Sequence, residues 1–249
     1  MARPATSSGA TRGRVAALYD VHGNLPALEA VLGELDDAEP IVVGGDFAAG
    51  PWPSETLDRL LALGDRVRFI RGNADRELVE PSEPRPGGPP PEVMEFVRRR
   101  LRPDQLDFLR ELPLTATIDV DGLGRVVFCH ATPRDDEELL TRISPDERWR
   151  AALAGAAADV VVCGHTHVQF DRRIDDVRLV NAGSVGMPYE AEPGAYWLRL
   201  GPDVDLRRTD YDTDAAAAAI ADSGWPEEWP VATPEDATEF FERISRERG

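Results

Sequence analysis

Seven apolar runs of strand length punctuate the chain: RVAALY (14–19), PIVVGG (40–45), RVRFIRG (66–72), RVVFCH (125–130), DVVVCGH (159–165), VRLVNAG (177–183) and GAYWLRL (194–200). Between the first three lie segments of helical period. Leu25, Leu28, Leu32 and Leu35 share one face of NLPALEAVLGELDDA, with Asn24 placed as a cap and Pro26 in the first turn. SETLDRLLALG repeats the pattern and closes on Gly64. Alternation of strand and helix predicts a parallel sheet covered on both faces for this half. From residue 114 the strands follow one another through short turns, DVDGLGR and DRRIDDV, which predicts antiparallel hairpins. The expected fold is α/β, with two packed sheets flanked by helices. One domain is expected over 14–249. It carries a Pro/Gly-rich loop at 80–92, EPSEPRPGGPPPE, that leads into helices over 93–111. A helical C-terminal extension is expected over 213–249. It holds an Ala-rich helix, a GWPEEWP turn with Trp225 and Trp229 as anchors, and a final amphipathic helix. Residues 1–13 read as a disordered tail.

Composition narrows the function classes. At 249 residues and 42% hydrophobic content, the chain suits an ordinary globular protein. No apolar run approaches membrane-spanning length. The opening MARPATSSGATRGR is polar and small, unlike a secretory signal. Cys129 and Cys163 each sit at or near the end of an apolar run and are expected to be buried free thiols, which suits a reducing cytoplasm. The net charge is −18 and every basic residue is an arginine. Such acidity argues against long nucleic acid as a partner, because polyphosphate backbones need a basic surface. A small anionic substrate stays compatible if its site carries local positive charge, such as a metal.

Chemistry gathers where the apolar runs end. ALYDVHGN supplies Asp20 and His22, VVGGDFAAGP supplies Asp46, FIRGNAD supplies Asn73, VVFCHATP supplies His130, and VVVCGHTHVQF supplies His165 and His167. In a mostly parallel sheet, loops at the C-terminal strand ends converge on one crevice. A single histidine at a strand end is more often structural than a ligand. All four histidines of this chain occupy such positions, however, three of them within two residues of a glycine or a second donor. Gly45, Gly72 and Gly164 each directly precede a candidate donor. Glycine serves ordinary strand-to-loop turns, and it also permits a sharp turn and close backbone approach.

Asp-x-His, Gly-Asp, Gly-Asn-x-Asp, a lone His and Gly-His-x-His, in that order, resemble the calcineurin-like metallophosphoesterases. The likeness runs from about residue 14 to about 210 and is greatest to the small bacterial phosphodiesterase branch, which resembles diadenosine tetraphosphatase. NAGSVGMP (181–188) is similar to that branch's Asn-Pro-Gly-Ser-Val-Gly stretch, with Ala182 where proline is usual. The resemblance implies a four-layer αββα sandwich with a dinuclear metal site at the strand ends. It places Asp20, His22, Asp46 and His167 on one metal and Asp46, Asn73, His130 and His165 on the other, with Asp46 bridging. It implies hydrolysis of a small phosphodiester or nucleotide by a metal-bridging hydroxide, the ions clamping the phosphoryl oxygens. Mixed imidazole, carboxylate and amide donors suit manganese, and also iron, nickel, cobalt or zinc.

GNAD departs from the family's usual Gly-Asn-His-Glu or Gly-Asn-His-Asp. Ala74 stands where a histidine near the leaving group is common, which puts turnover of poor leaving groups in doubt. Asp75 is expected to orient the Asn73 loop by hydrogen bonding. Two other functions share the fold: a phosphoprotein phosphatase, with the 80–92 loop admitting a peptide, and a non-catalytic scaffold. The full set of metal donors speaks against the scaffold.

Overall fold

The computed structural model describes residues 10–11 and 13–248. In chain order the elements are β1 (Ala10–Thr11), β2 (Val15–Leu18), α1 (Leu25–Leu32), β3 (Ile41–Val43), α2 (Pro53–Leu61), β4 (Val67–Phe69), α3 (Asn73–Val79), α4 (Pro91–Arg100), α5 (Pro103–Arg110), β5 (Thr115–Val120) and β6 (Gly124–Cys129). They continue with α6 (Asp146–Ala152), β7 (Val160–Cys163), β8 (Phe170–Ile174), β9 (Val177–Asn181), β10 (Ala195–Leu200), β11 (Val204–Thr209), α7 (Thr213–Asp222) and α8 (Pro234–Arg248). One sheet has the order β11-β10-β2-β3-β4 and the other β1-β5-β6-β7-β9-β8.

The period-2 alternation of the strands produces the layers. From β2, β3 and the residues that follow them, Val15, Ala17, Tyr19 and Val42 turn toward the second sheet. There they meet Val126, Phe128, Val160, Val162 and Val180. Ala16, Leu18, Ile41 and Val43 turn the other way, onto Leu28 and Val31 of α1, Leu57 and Leu60 of α2, and Val97 of α4. Val127, Cys129, Val161, Cys163 and Leu179 cover the far side against Trp149 and Ala152 of α6. Both sheets are therefore buried on both faces, giving the expected αββα stack. Cys129 and Cys163 are buried and unpaired with each other.

Several boundaries differ from the sequence reading. The leucine-patterned helix stops at Leu32 with Gly33 as its C-cap, so Leu35 packs against the core from the following turn. Asn24 caps α1 as expected, accepting from the Ala27 N–H at 3.2 Å. The second helix ends at Leu61, and Gly64 (φ 64°) begins a 3₁₀ turn instead of capping it. The later half is only partly antiparallel. β5–β6, β8–β9 and β10–β11 are hairpins, but β6, β7 and β9 run parallel. For β6 and β7 the cause is α6, a helix hidden in the polar stretch after His130, which supplies the crossover that parallel neighbours need. β9 lies parallel to β7 because the β8–β9 hairpin inserts it between β7 and β8. β10 then returns to the first sheet, antiparallel to β2. Of the tail expected over 1–13, residues 1–9 and 12 lie outside the described residues, and Ala10–Thr11 pair in parallel with β5. Trp225 packs edge-on against Phe96 of α4, and Trp229 packs edge-on against Trp225. No helix among the described residues is long and apolar enough to cross a membrane.

Candidate metal centre

All seven candidate donors lie just beyond the ends of strands that run parallel within each sheet: Asp20 and His22 after β2, Asp46 after β3, Asn73 after β4, His130 after β6, and His165 and His167 after β7. The two sheets contribute from opposite sides, so the centre sits on the seam between them. Two groups form whose donor atoms lie within 4.8 Å of one another: Asp20, His22 and His167, and Asp46, His130 and His165.

The backbone is bent to achieve this. Among the described residues other than glycine, six have positive φ, and five of those are Asp20 (52°), His22 (45°), Asp46 (50°), His165 (66°) and His167 (58°). Such left-handed conformations are uncommon away from glycine and store strain that the surroundings must hold. Amide bonds hold it here. The Asp20 N–H donates to the Gly45 carbonyl (3.1 Å) and the His22 N–H to the Asp46 carbonyl (2.9 Å), tying the first two loops together. Gly45 (φ 94°) is required by both conformation and space, since a Cβ there would lie 2.6 Å from Gly72 N and from His130 Nδ1.

Each carboxylate presents one oxygen. Asp20 Oδ2 accepts from the His165 N–H at 2.9 Å, and Asp46 Oδ1 accepts from the Ala74 N–H at 2.8 Å. The other oxygens face imidazoles. Asp20 Oδ1 is 3.2 Å from His167 Nε2 and 3.8 Å from both His22 Nε2 and His130 Nε2, while Asp46 Oδ2 is 3.3 Å from His130 Nε2. Three imidazoles are oriented by carbonyls, with Nδ1 of His22, His130 and His167 bonded to Ala49 (3.0 Å), Gly44 (2.9 Å) and Met187 (2.7 Å). Each Nδ1 therefore carries a proton, which leaves the lone pair of the neutral ring on Nε2.

The arrangement fits a cation. Nε2 of His22 and of His167 oppose each other at 3.2 Å, two lone pairs aimed at one region. Asp20 Oδ1, Asn73 Oδ1, His130 Nε2 and His165 Nε2 are buried without a hydrogen-bond partner, and leaving such groups unmatched is costly. The electrostatics of the pocket point the same way. Burial alone would lower His130, but the Asp46 and Asp20 carboxylates override it and lift the imidazole to about 10. His165 is driven down to about 3 by burial and by its neighbour His130. The pocket thus demands positive charge and has too many bases for one proton.

Asp75 does more than the sequence reading gave it. Its carboxylate accepts from the N–H of Gly72 (3.1 Å), Asp46 (2.7 Å) and Ala48 (3.4 Å), pinning the Asp46 loop as well as the Asn73 loop. Burial, reinforced by the Asp46 charge, pushes it up to about 8. Residues of NAGSVGMP, noted only as a sequence likeness, brace the centre. Asn181 donates to the Gly164 carbonyl (2.7 Å) and to Thr166 (3.2 Å), and Ser184 donates to the Asp20 carbonyl (2.7 Å). Ala182, in place of the usual proline, donates its N–H to the Cys163 carbonyl at 2.8 Å, a bond proline cannot make. The orienting carbonyls of Gly44, Ala49 and Met187 had no sequence signal, because any residue supplies one. Tyr189, stacked on His167 with ring centroids 5.0 Å apart, and Phe241, 6.4 Å from His165, were also not foreseen.

Such a fold and site define a class of hydrolase that works on phosphate esters with divalent metals. The chain belongs to that class: the calcineurin-like phosphoesterase superfamily domain matches residues 14–200. An uncharacterized protein of Methanocaldococcus jannaschii is 25% identical over 86% of this chain and 94% of its own length. The phosphodiesterase YfcE of Escherichia coli is 26% identical, covering 72% of this chain and 83% of its own. The symmetrical bis(5'-nucleosyl)-tetraphosphatase of Klebsiella pneumoniae is 30% identical over 51% of this chain and 46% of its own. In fold, the chain is similar to a metallophosphoesterase from Sphaerobacter thermophilus (TM-score 0.69, 23% identity, 93% of this chain and 98% of that one). It is also similar to a hypothetical protein from Pyrococcus horikoshii (TM-score 0.72, 22% identity, 86% and 95%).

Proposed function

We propose that this chain is a two-metal phosphodiesterase acting on small diesters or nucleotides, with manganese as the resident metal and the cytoplasm as its compartment. The observation that carries the reading is the convergence of Asp20, His22 and His167 and of Asp46, His130 and His165, with Asp20 Oδ1, Asn73 Oδ1, His130 Nε2 and His165 Nε2 buried without a hydrogen-bond partner and the Nε2 atoms of His22 and His167 facing each other at 3.2 Å. Asp20, His22, Asp46 and His167 would hold one ion and Asp46, Asn73, His130 and His165 the other. With Asp46 Oδ1 tied to the Ala74 amide, its other oxygen would remain available as a ligand. Divalent ions bound there supply the Lewis acidity that activates water and offsets charge on the phosphoryl oxygens.

The chain's own residues do the rest. The carbonyls behind His22, His130 and His167 fix each tautomer, and Asp75 holds the two loops that carry Asp46 and Asn73 in register. At position 74 the side chain is a methyl group, so no acid there protonates the departing oxygen. The phosphodiesterase and tetraphosphatase names of two relatives favour diester and nucleotide substrates over phosphoproteins. The test is to strip the protein of metal, reload it with Mn²⁺, count ions and assay bis(p-nitrophenyl) phosphate. Two ions per chain and turnover abolished by chelation are expected. Fewer than one ion per chain, or no turnover of any diester, would refute the reading.

A further inference from the structure

α8 is an odd helix. Its buried positions are Pro234, Ala237, Thr238, Glu242 and Ile244, with few large apolar groups among them, while its two phenylalanines are left out of the core. Phe240 is 41% exposed and Phe241 is half-buried. Polar contacts set the helix in place. Glu242 accepts from Thr141 (2.6 Å) and from Ser144, Arg148 donates to Ser245 (2.7 Å), Arg142 pairs with Glu235 (2.7 Å), and Arg248 donates to the Pro86 carbonyl (2.8 Å). The ring of Phe241 is therefore positioned by contacts it does not itself make.

Where it is positioned matters. Its centroid lies 6.4 Å from His165 of one donor group and 6.3 Å from Tyr189, whose ring stacks at 22° on His167 of the other group. Two aromatic rings thus run along the centre from one donor group to the other, with no charged atom of their own. We propose that Phe241, together with Tyr189, is the specificity-determining wall of the site and receives the flat aromatic part of the phosphodiester, an aryl or nucleobase ring. The inference rests on the phosphodiesterase reading above and names its substrate class. The methyl side chain of Ala74 points to the same substrates. Without an acid at that position, esters whose leaving groups depart as stable anions are favoured, as aryl oxides and nucleotides do.

The test compares an aryl diester with a fluoroalkyl diester of equal leaving-group acidity, so that flatness alone differs. Phe241→Leu keeps apolar bulk without the flat face, and Phe241→Tyr keeps the face. In the Mn²⁺-loaded protein, Phe241→Leu is expected to lower kcat/KM for the aryl diester about fivefold to tenfold, through KM, the scale of an aromatic pair. The fluoroalkyl diester should change less than about twofold, and Phe241→Tyr should behave as wild type. A second readout needs no turnover. Calorimetry should find phenylphosphonate bound more tightly than tert-butylphosphonate by wild type, with the preference lost in Phe241→Leu. Equal loss or equal gain on both diesters overturns the wall and leaves the phosphodiesterase reading standing. A phenyl preference without turnover of any diester sinks that reading and keeps the wall.

Discussion

Asp46 is the residue on which the centre depends most. Its charge reaches imidazoles of both donor groups, and that neighbourhood, chiefly His130, holds its carboxyl well below the usual range despite burial. Asp46→Asn removes a charge from between two cation sites, whereas Asn73→Ala and His167→Ala each remove one donor from one site. Asp46→Asn is expected to cost the most, more than about 100-fold in kcat/KM, beyond what loss of an outer partner costs. Metal counts and kinetics on the three variants check the order, and an Asp46→Asn protein with both ions and near-normal turnover contradicts the bridge. Ala74 leads to a different measurement. General acid catalysis is worth about 10²–10⁴-fold and matters most for basic leaving groups. A plot of log kcat/KM against leaving-group pKa should therefore fall steeply for this protein. Ala74→His should flatten it, with metal content as the control because the position is only 4% exposed. An unchanged slope in a fully metallated variant would mean that another group supplies the proton.

At the level of elements, strand ends aim the chemistry and small residues let them meet. Gly45→Ala places a Cβ against two neighbours and forbids an easy left-handed turn, so a loss of about 2 kcal/mol or more is expected. Chemical denaturation measures it, and a cost below about 0.5 kcal/mol would contradict the steric account. Glu242→Ala should free α8 by stranding the Thr141 and Ser144 hydroxyls, seen as faster amide exchange confined to residues 234–248. Uniform exchange change across the sheets would argue against it. These elements also mark what could be read in advance. The strand ends, and the six candidate donors that the structure gathers into two groups, were legible because apolar runs, glycines and the Asp-x-His, Gly-Asp and Gly-His-x-His motifs are local signals. α3 and α6 were not, for each is only seven residues long and begins in polar sequence beside a loop. The short strand–turn–strand spacing pointed to hairpins, and three formed, but α6 converted the connection from β6 to β7 into a parallel crossover. The wall made by Tyr189 and Phe241 is a tertiary event between residues far apart in the chain. No periodicity records that.

For the whole molecule, the metal centre is a clasp between two sheets. One donor group draws on β2 and β7, and the other on β3, β6 and β7, so bound ions would join the halves of the sandwich. Ions that bind only the folded state stabilise it by about 2.7 kcal/mol at 100 times Kd, which for a chain of this size raises Tm by roughly 5–10 °C. A chelator should lower Tm by that much and Mn²⁺ restore it; a Tm indifferent to both would mean the clasp is not used. The left-handed backbone at five donor positions has a further consequence, for how such a chain can evolve. Aspartate, asparagine, histidine and glycine tolerate that conformation, whereas β-branched and bulky residues do not. Mutational drift at Asp20, His22, Asp46, His165 and His167 is therefore confined by the backbone even where selection for activity is lifted. In a saturation scan scored for folding alone, these positions should accept asparagine and glycine and reject valine and isoleucine. A lineage that abandoned the chemistry would keep a polar or glycine scar in place of the site.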